Sequence, residues 1–509
     1  MNVGDWVRKW GELLPQKVAI IDDGHELTYR EINARCNRVA NYLLDKGVRK
    51  GDRVSLLLHN CHEFIEIYLA LAKVGAILVP LNSRIAPPET AYILNDCGAG
   101  FLFFGQDFAE TASYIKDNIP QVKGYTSLGE EEFPWAENYK ETEDYPSSEP
   151  SGSDMPDFED PHIILYTSGT TGFPKGALLS NRKTFYNALN AKIFYRLTTE
   201  DTFLVNRPLF HSGGLLVNST PAFYSGATVI YKRRFALQEY LETIEKYRVT
   251  VIEPPATFLN FILKDCDLNR YRLDSLKSCY TGGERVPEKL IREYHAIGVP
   301  LGQLFGMTET SIVCWLPAED TVRKIGSVGK PVFHGEIQIV HPDMQPISPG
   351  ETGEVVIRGP ILMSGYWNKP DETRKAFEGG WFHSGDLATT DDEGFIYILD
   401  REKNVFISGG ENVYPSEIDK HLFQHPKIFD AAVYGVPDER WGEVGKASII
   451  LKDNEKMEAR EVVDFLSGKI GKFKIPKHIE FVSEFPRTAS GKIQKYLLVQ
   501  QFKEKMRKT

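Results

Sequence analysis

Tyr166-Thr167-Ser168-Gly169-Thr170-Thr171-Gly172-Phe173-Pro174-Lys175-Gly176 follows the apolar run Ile163-Ile164-Leu165. That run reads as a buried strand ending where the hydroxyls begin. Gly169, Gly172 and Gly176 let the backbone take positive φ and bring N–H groups close to a ligand. Thr167, Ser168, Thr170 and Thr171 add hydroxyls and Lys175 adds a cation, a donor set suited to phosphate oxygens. The spacing is not that of a Walker A loop, because Lys175 is followed by Gly176. A Gly/Thr-rich surface turn is the alternative reading of such a composition. The consistent phosphate chemistry directly after a strand favours an anion cradle.

Upstream, Thr28-Tyr29-Arg30-Glu31 has the form of a capping box, and Ile32, Cys36, Val39, Ala40, Leu43 and Leu44 recur at helical spacing. Val54 to Leu58 predicts a strand, Glu63 to Lys73 a helix, and Ala76 to Val79 a further strand. Strands alternating with helices imply a parallel, doubly wound sheet. Residues 130–160 are rich in Glu, Pro, Ser and Asp, and predict a solvated crossover into the phosphate loop.

Downstream, Thr202 to Val205 predicts a strand leading to Pro208-Leu209-Phe210-His211-Ser212-Gly213-Gly214. A histidine beside two glycines at a strand's carboxyl end lies where ligands bind in open α/β sheets. Leu276 to Tyr280 predicts a strand broken by Thr281-Gly282-Gly283-Glu284, whose adjacent glycines would allow a planar ring to pack flat. Leu304-Phe305-Gly306-Met307-Thr308-Glu309-Thr310 repeats the strand-to-glycine pattern and adds a carboxylate between hydroxyls, a hard-oxygen site for Mg²⁺. From Gly335 the texture changes to short alternating strands, Ile337 to Val340 and Glu354 to Arg358, predicting a small β-rich subdomain. Asp386, after Gly385, suits the two hydroxyls of a ribose or, equally, an Asx turn. The charged run Asp400-Arg401-Glu402-Lys403-Asn404 falls where a domain boundary is expected. The remaining hundred or so residues predict βαβ-like alternation, with Ala431 to Tyr434 and Ala447 to Leu451 as strands and Val462 to Leu466 as helix.

At 509 residues the chain exceeds one core's usual size, so at least two domains are expected. A net charge of −10 argues against a general nucleic-acid binder. The tail is nonetheless basic, with Lys469, Lys472, Lys474, Lys477, Arg487, Lys492 and Lys495, an asymmetry that points to a polyphosphate such as ATP or coenzyme A. The six scattered cysteines form no C-x-x-C pair and fit reduced thiols in the cytoplasm. The N-terminus shows no signal-peptide core, and no apolar run is long enough for a transmembrane segment.

Seven segments occur together in order: the Tyr166 loop, PLFHSGG from Pro208, TGGE from Thr281, FGMTET from Phe305, WFHSGD from Trp381, DREKNVFISGGENVYPSEI from Asp400, and PRTASGKIQK from Pro486. In these the chain resembles the adenylate-forming superfamily of acyl- and aryl-CoA synthetases, firefly luciferase and nonribosomal peptide adenylation domains, and most closely the acyl- and aryl-CoA synthetases. The resemblance implies an α/β protein with a large N-terminal domain over residues 1–399, built of doubly wound mixed sheets plus a β-rich subdomain at 334–399. A hinge at 400–404 and a smaller, mobile α+β domain at 405–509 complete the expected organisation.

The activity implied is ATP-dependent ligation of a fatty or aromatic carboxylic acid to coenzyme A through an acyl-adenylate, with Mg²⁺. By similarity, Thr167, Ser168, Gly169, Thr170, Thr171, Gly172 and Lys175 handle the phosphates, and Thr308 with Glu309 hold phosphate and metal. Gly283, Glu284, Phe305 and Gly306 frame the nucleotide, and Asp386 with Arg401 hold the ribose. His211, Gly213, Gly214, Gly282, Gly306 and Met307 line the acid pocket. Lys492 matches the adenylation lysine and Lys403 the hinge position. Gly409, Gly410, Trp441, Phe473, Lys474 and Lys477 are candidate coenzyme A contacts. Asp400 and Asn404 depart from the family pattern, which puts hinge energetics in question. Rival readings are adenylation of an amino or hydroxy acid for a carrier protein, a luciferase-type oxygenase and a non-catalytic nucleotide-binding regulator. The acid's identity is not legible, and a homodimer is left open.

Overall fold

A computed structural model describes residues 2–151, 156–167, 174–284, 286–408, 410–438, 440–487 and 493–508. The capping box forms as its sequence predicts. Glu31 N donates to Thr28 Oγ1 at 3.2 Å and Thr28 N to Glu31 Oε2 at 2.8 Å, opening the helix Tyr29–Asp45. The next helix, His62–Val74, is buried on every face from Phe64 onward, as its nearly continuous apolar sequence requires.

The chain divides into two compact units, residues 1–337 with 357–382, and residues 338–356 with 383–509. The first holds two large sheets. One runs in the order Lys330–Pro331, Ser311–Leu316, Leu301–Met307, Ser278–Gly282, Val251–Ile252, Thr202–Leu204, Thr228–Tyr231, Val18–Asp22, His25–Thr28. The other runs Gly365–Tyr366, Lys175–Ser180, Pro161–Thr167, Ile77–Pro80, Arg53–Leu57, Phe101–Gly105, Gly124–Leu128, Glu137–Asn138. In each, a parallel array covered by helices ends in an antiparallel hairpin. The doubly wound, mixed α/β class expected from the sequence is borne out. The hairpins join Pro161–Thr167 to Lys175–Ser180 and Leu301–Met307 to Ser311–Leu316, so the phosphate tract and the Thr308-Glu309 pair both fall at hairpin connections.

Most of the described residues between 130 and 160 are exposed, as their composition predicts, but the segment is also anchored to the domain. Phe133 and Trp135 pack on the core, and Trp135 stacks on Phe104 with ring centroids 5.3 Å apart. The segment also satisfies two charges buried on the helix His62–Val74. Tyr139 donates to Glu66 Oε2 at 2.6 Å, and Glu149 Oε2 accepts from Lys73 Nζ at 2.7 Å. A buried charge needs such a partner, so Tyr139 and Glu149 serve a structural purpose that composition alone hides.

Most residues of the expected small β sheet, in the order Glu336–Val340, Gly353–Arg358, Phe382–Thr390, Ile396–Arg401, belong to the second unit. Its C-terminal part departs from the predicted βαβ alternation. Ile428–Asp438 pairs antiparallel with Gly442–Leu451 as one long hairpin, and among the described residues only His478–Phe481 adds in parallel. The connection 439–441 is far too short for a parallel crossover. Helices Pro415–Leu422, Ala459–Leu466 and Lys495–Lys508 complete this α+β part. Among the described residues, no helix is long and apolar enough to cross a membrane.

Candidate functional site

Thr167 pairs with Lys175 in register across the first hairpin. Ser168, Gly169, Thr170, Thr171 and Gly172 lie outside the described residues. The edge strand Gly365–Tyr366 runs antiparallel to Lys175–Ser180, and Trp367 N donates to Gly176 O at 2.8 Å. Lys175 Nζ forms an ion pair with Glu372 and lies 5.7 Å from the Tyr366 ring centroid. The Tyr366 hydroxyl donates to Glu309 Oε1 at 3.0 Å, and Met363 N donates to Glu309 O at 2.7 Å. One short edge strand thus connects the phosphate hairpin to the carboxylate of the second hairpin.

The second hairpin is tightly closed. A Cβ on Gly306 would fall 1.8 Å from Ser311 O, so only glycine fits there. Ser311 itself sits at φ 57°, a left-handed conformation that L side chains rarely adopt. Thr310 Oγ1 accepts from Met307 N at 3.3 Å and donates to Ser311 O at 2.9 Å. Behind the turn lies Lys183, fully buried, whose Nζ donates to Ser311 Oγ at 2.5 Å. Burial brings its ammonium down to about 7, while Glu309 favours the charged form.

At the carboxyl ends of the parallel strands, the Arg207 side chain latches Glu253 and Gly282 together. Its Nε lies 2.5 Å from Glu253 Oε2, and its Nη2 donates to Glu253 Oε1 at 2.7 Å and to Gly282 O at 2.9 Å. Burial pushes the Glu253 carboxyl above its ordinary value, with Arg207 working against that rise. Asn60 fixes the same loop, donating to Arg207 O at 2.9 Å and accepting from Leu209 N at 2.8 Å. His211 Nδ1 accepts from Gly213 N at 3.1 Å, which requires an unprotonated Nδ1. The chain then enters a π-helical segment, Gly213–Ser219, before the α-helix Thr220–Ser225. Its wide turn is stabilised by Ser219 Oγ donating to Gly214 O and Thr220 Oγ1 to Leu215 O, both at 2.7 Å. Gly283 takes φ 80°, a conformational need beyond ring packing. Glu284 accepts from Thr257 N at 2.8 Å at the start of the helix Ala256–Asp265.

In the second unit, Asp386 and Arg401 are cross-strand neighbours, with Nε 2.5 Å from Oδ1 and Asp386 buried. Asp400 and Asn404 acquire an explanation. Asp400 Oδ1 accepts from Asn404 Nδ2 at 3.0 Å, and Oδ2 from Ser416 N at 2.8 Å in the first turn of the helix Pro415–Leu422. Lys403 sits in the 3₁₀ turn Glu402–Asn404 that this carboxylate braces. Lys477 Nζ lies 5.2 Å from the exposed Trp441 ring centroid, whereas Lys474 pairs with Glu417 at 2.8 Å. Phe473 is exposed and Gly410 takes φ 90°. Gly409 and Lys492 lie outside the described residues.

Sequence reading missed Tyr366, Arg207, Glu253, Asn60 and Lys183. Arg207 before Pro208, and Glu253 ending the run Thr250-Val251-Ile252, carried a faint signal, since each is a charge at the end of an apolar strand. Tyr366 and Lys183 carried none, because their roles arise from packing between distant segments.

The model of the AMP-binding enzyme family matches residues 7–367, and that of the AMP-binding enzyme C-terminal domain matches residues 417–492. The chain is 36% identical over 496 residues to a feruloyl-CoA synthase of an Amycolatopsis species, covering 97% of this chain and 98% of that protein. It is 36% identical over 505 residues to an indoleacetate–CoA ligase of Aromatoleum aromaticum, covering 97% of each. The o-succinylbenzoate CoA synthetase of Bacillus subtilis, solved with its acyl-adenylate intermediate, superposes with a TM-score of 0.87 at 32% identity over 97% of both chains. The same enzyme solved with ATP and a magnesium ion gives 0.87 at 31% identity, covering 98% of this chain and 99% of that one. With a family model spanning most of its length and relatives of this identity end to end, the chain belongs to the AMP-binding enzyme family, among its AMP-forming acid–CoA ligases.

Proposed function

We propose that the chain activates an aromatic carboxylic acid with ATP and transfers the acyl group to coenzyme A. In the first step a carboxylate oxygen attacks the α-phosphorus, the bond to the β-phosphate oxygen breaks, and pyrophosphate leaves. In the second the coenzyme A thiolate attacks the acyl carbon and AMP leaves. The observation that carries the site assignment is the Tyr366 bridge, which ties the Lys175 hairpin to Glu309. The tract Thr167 to Lys175 would hold the departing phosphates, with Lys175 exchanging Glu372 for phosphate oxygens. Glu309, a carboxylate already accepting a hydrogen bond, and Thr308 offer hard oxygens that fit Mg²⁺, which when bound offsets charge on the triphosphate.

Asp386 and Arg401 would hold the ribose, and Gly283, Glu284, Phe305 and Gly306 the base. His211, Gly213, Gly214, Gly282 and Met307 would line the acid pocket, beside the Arg207–Glu253 latch. Lys492 would place its ammonium where charge develops on phosphorus. The hinge at 400–404, and the coenzyme A contacts Gly409, Gly410, Trp441, Phe473, Lys474 and Lys477, belong to the same proposal. Aromatic acids are favoured because two relatives that are 36% identical over 97% of the chain are named for feruloyl and indoleacetyl substrates, whereas a long-chain-fatty-acid–CoA ligase that matches over 98% of it is 33% identical. Pyrophosphate release across a panel of aryl and aliphatic acids, with and without coenzyme A, tests this. Turnover confined to aliphatic acids overturns the aryl assignment, and no acid-dependent release overturns the activity.

Asp386→Asn is expected to raise KM for ATP about tenfold with a smaller change in kcat, as one charge-assisted hydrogen bond to a ribose hydroxyl is weakened. Steady-state kinetics at saturating acid checks it. Arg401 is part-exposed, so the fold should tolerate the change.

A further inference from the structure

The turn bearing Glu309 is held on three sides. Met363 fixes its backbone carbonyl, Tyr366 its carboxylate, and Lys183 the residue two positions on. The third hold is the unexpected one. Lys183 lies in the first turn of the helix Asn181–Phe194 and is wholly buried, although a methionine would fill similar space without desolvating a charge. What the ammonium supplies is a donor 2.5 Å from the hydroxyl of Ser311, a residue held in a left-handed conformation that L side chains rarely adopt. That conformation closes the hairpin: Met307 stands opposite Ser311, and the Ser311 carbonyl approaches Gly306 too closely for any side chain. The neighbouring His162 contributes no competing charge, since burial first and Lys183 second take its imidazole down to about 3, and its Nε2 lies 2.7 Å from Thr184 Oγ1.

We infer that Lys183 is a positioning residue that pins the Met307–Ser311 turn through Ser311 Oγ, and so sets the place of Glu309 for the adenylation step. The inference rests on the reading of Glu309 given above.

The test uses the full chain with Lys183→Met, Ser311→Ala, their double variant, and Glu309→Gln. Lys183→Met should keep or raise the melting temperature, because it removes a buried charge. Its kcat for pyrophosphate release should fall about tenfold, within the range a displacement of about 1 Å can cause, while KM for the acid stays within about twofold. Ser311→Ala should show a similar fall in kcat, and the double variant should lose no more than the larger single loss. Amide hydrogen exchange in a peptide covering residues 307–312 should quicken in Lys183→Met without added nucleotide, with other core peptides unchanged. A merely structural lysine would lower the melting temperature and leave both kcat and that peptide alone. Parental kcat and exchange in Lys183→Met, or additive losses in the double variant, overturn the inference. Should Lys183→Met fail to fold, a parental kcat in Ser311→Ala overturns it equally. If Glu309→Gln retains full activity, the assignment of Glu309 falls; if Glu309→Gln is impaired while Lys183→Met is not, only the role of Lys183 falls.

Discussion

Lys492→Ala is expected to slow ATP-dependent pyrophosphate release by about 10²–10³-fold. An ammonium aimed at the transferring phosphorus stabilises charge that grows only in the transition state, so its removal should lower kcat rather than weaken ATP binding. The second step makes no such demand. Supplied with preformed acyl-adenylate and coenzyme A, the variant should form thioester at a rate close to the parent's. The measurement is therefore a pair of half-reaction assays on one folded protein. Normal pyrophosphate release would remove Lys492 from the chemistry, and equal loss in both assays would point to general damage instead.

The second large effect concerns stability. Arg207→Met leaves the Glu253 carboxylate buried without its main counter-charge, a loss of about 3–5 kcal/mol at pH 8. The pH dependence follows from the raised Glu253 pKa. Between the ordinary carboxylate value and the raised one, the folded chain binds a proton that the unfolded chain has released, so stability falls as pH rises through that window. Without Arg207 opposing the rise, the window extends upward. The deficit of Arg207→Met relative to the parent should accordingly be smaller at pH 5.5 than at pH 8. Adding Glu253→Gln should recover much of the loss at pH 8, because no charge is left stranded. Thermal unfolding of the three proteins at both pH values checks this, and an equal deficit at both would mean that Glu253 does not titrate in the variant.

Much of this architecture could be read before any coordinates. The capping box at Thr28, the strands Arg53–Leu57 and Thr202–Leu204, and the ordered motifs around Lys175, Glu309 and Asp386 are local patterns, and local patterns survive folding. What stayed hidden depends on register. Nothing near Tyr366 announces that a two-residue edge strand will bring its hydroxyl to a carboxylate 57 residues earlier. Between 130 and 160 the described residues are mostly exposed as acidic composition implies, but nothing in that composition says that Tyr139 and Glu149 answer charges buried far upstream. Strand content alone does not separate a hairpin from a crossover, and it is the short loop between Ile428–Asp438 and Gly442–Leu451 that dictates the antiparallel pairing. Asp400 and Asn404, which depart from the family pattern, brace the turn containing Lys403 through bonds that only the fold supplies.

The wide helical turn at Gly213–Ser219 has a bearing on how this region could be redesigned. An α-helix advances about 100° per residue, so deleting a single residue between Leu215 and Val217 would let the ladder close in ordinary register. Everything on its N-terminal side, His211 included, would then rotate by that angle relative to Thr220–Ser225. A change in chain length would thus re-aim an entire wall of side chains at once, an alteration that exchanging one side chain for another cannot imitate.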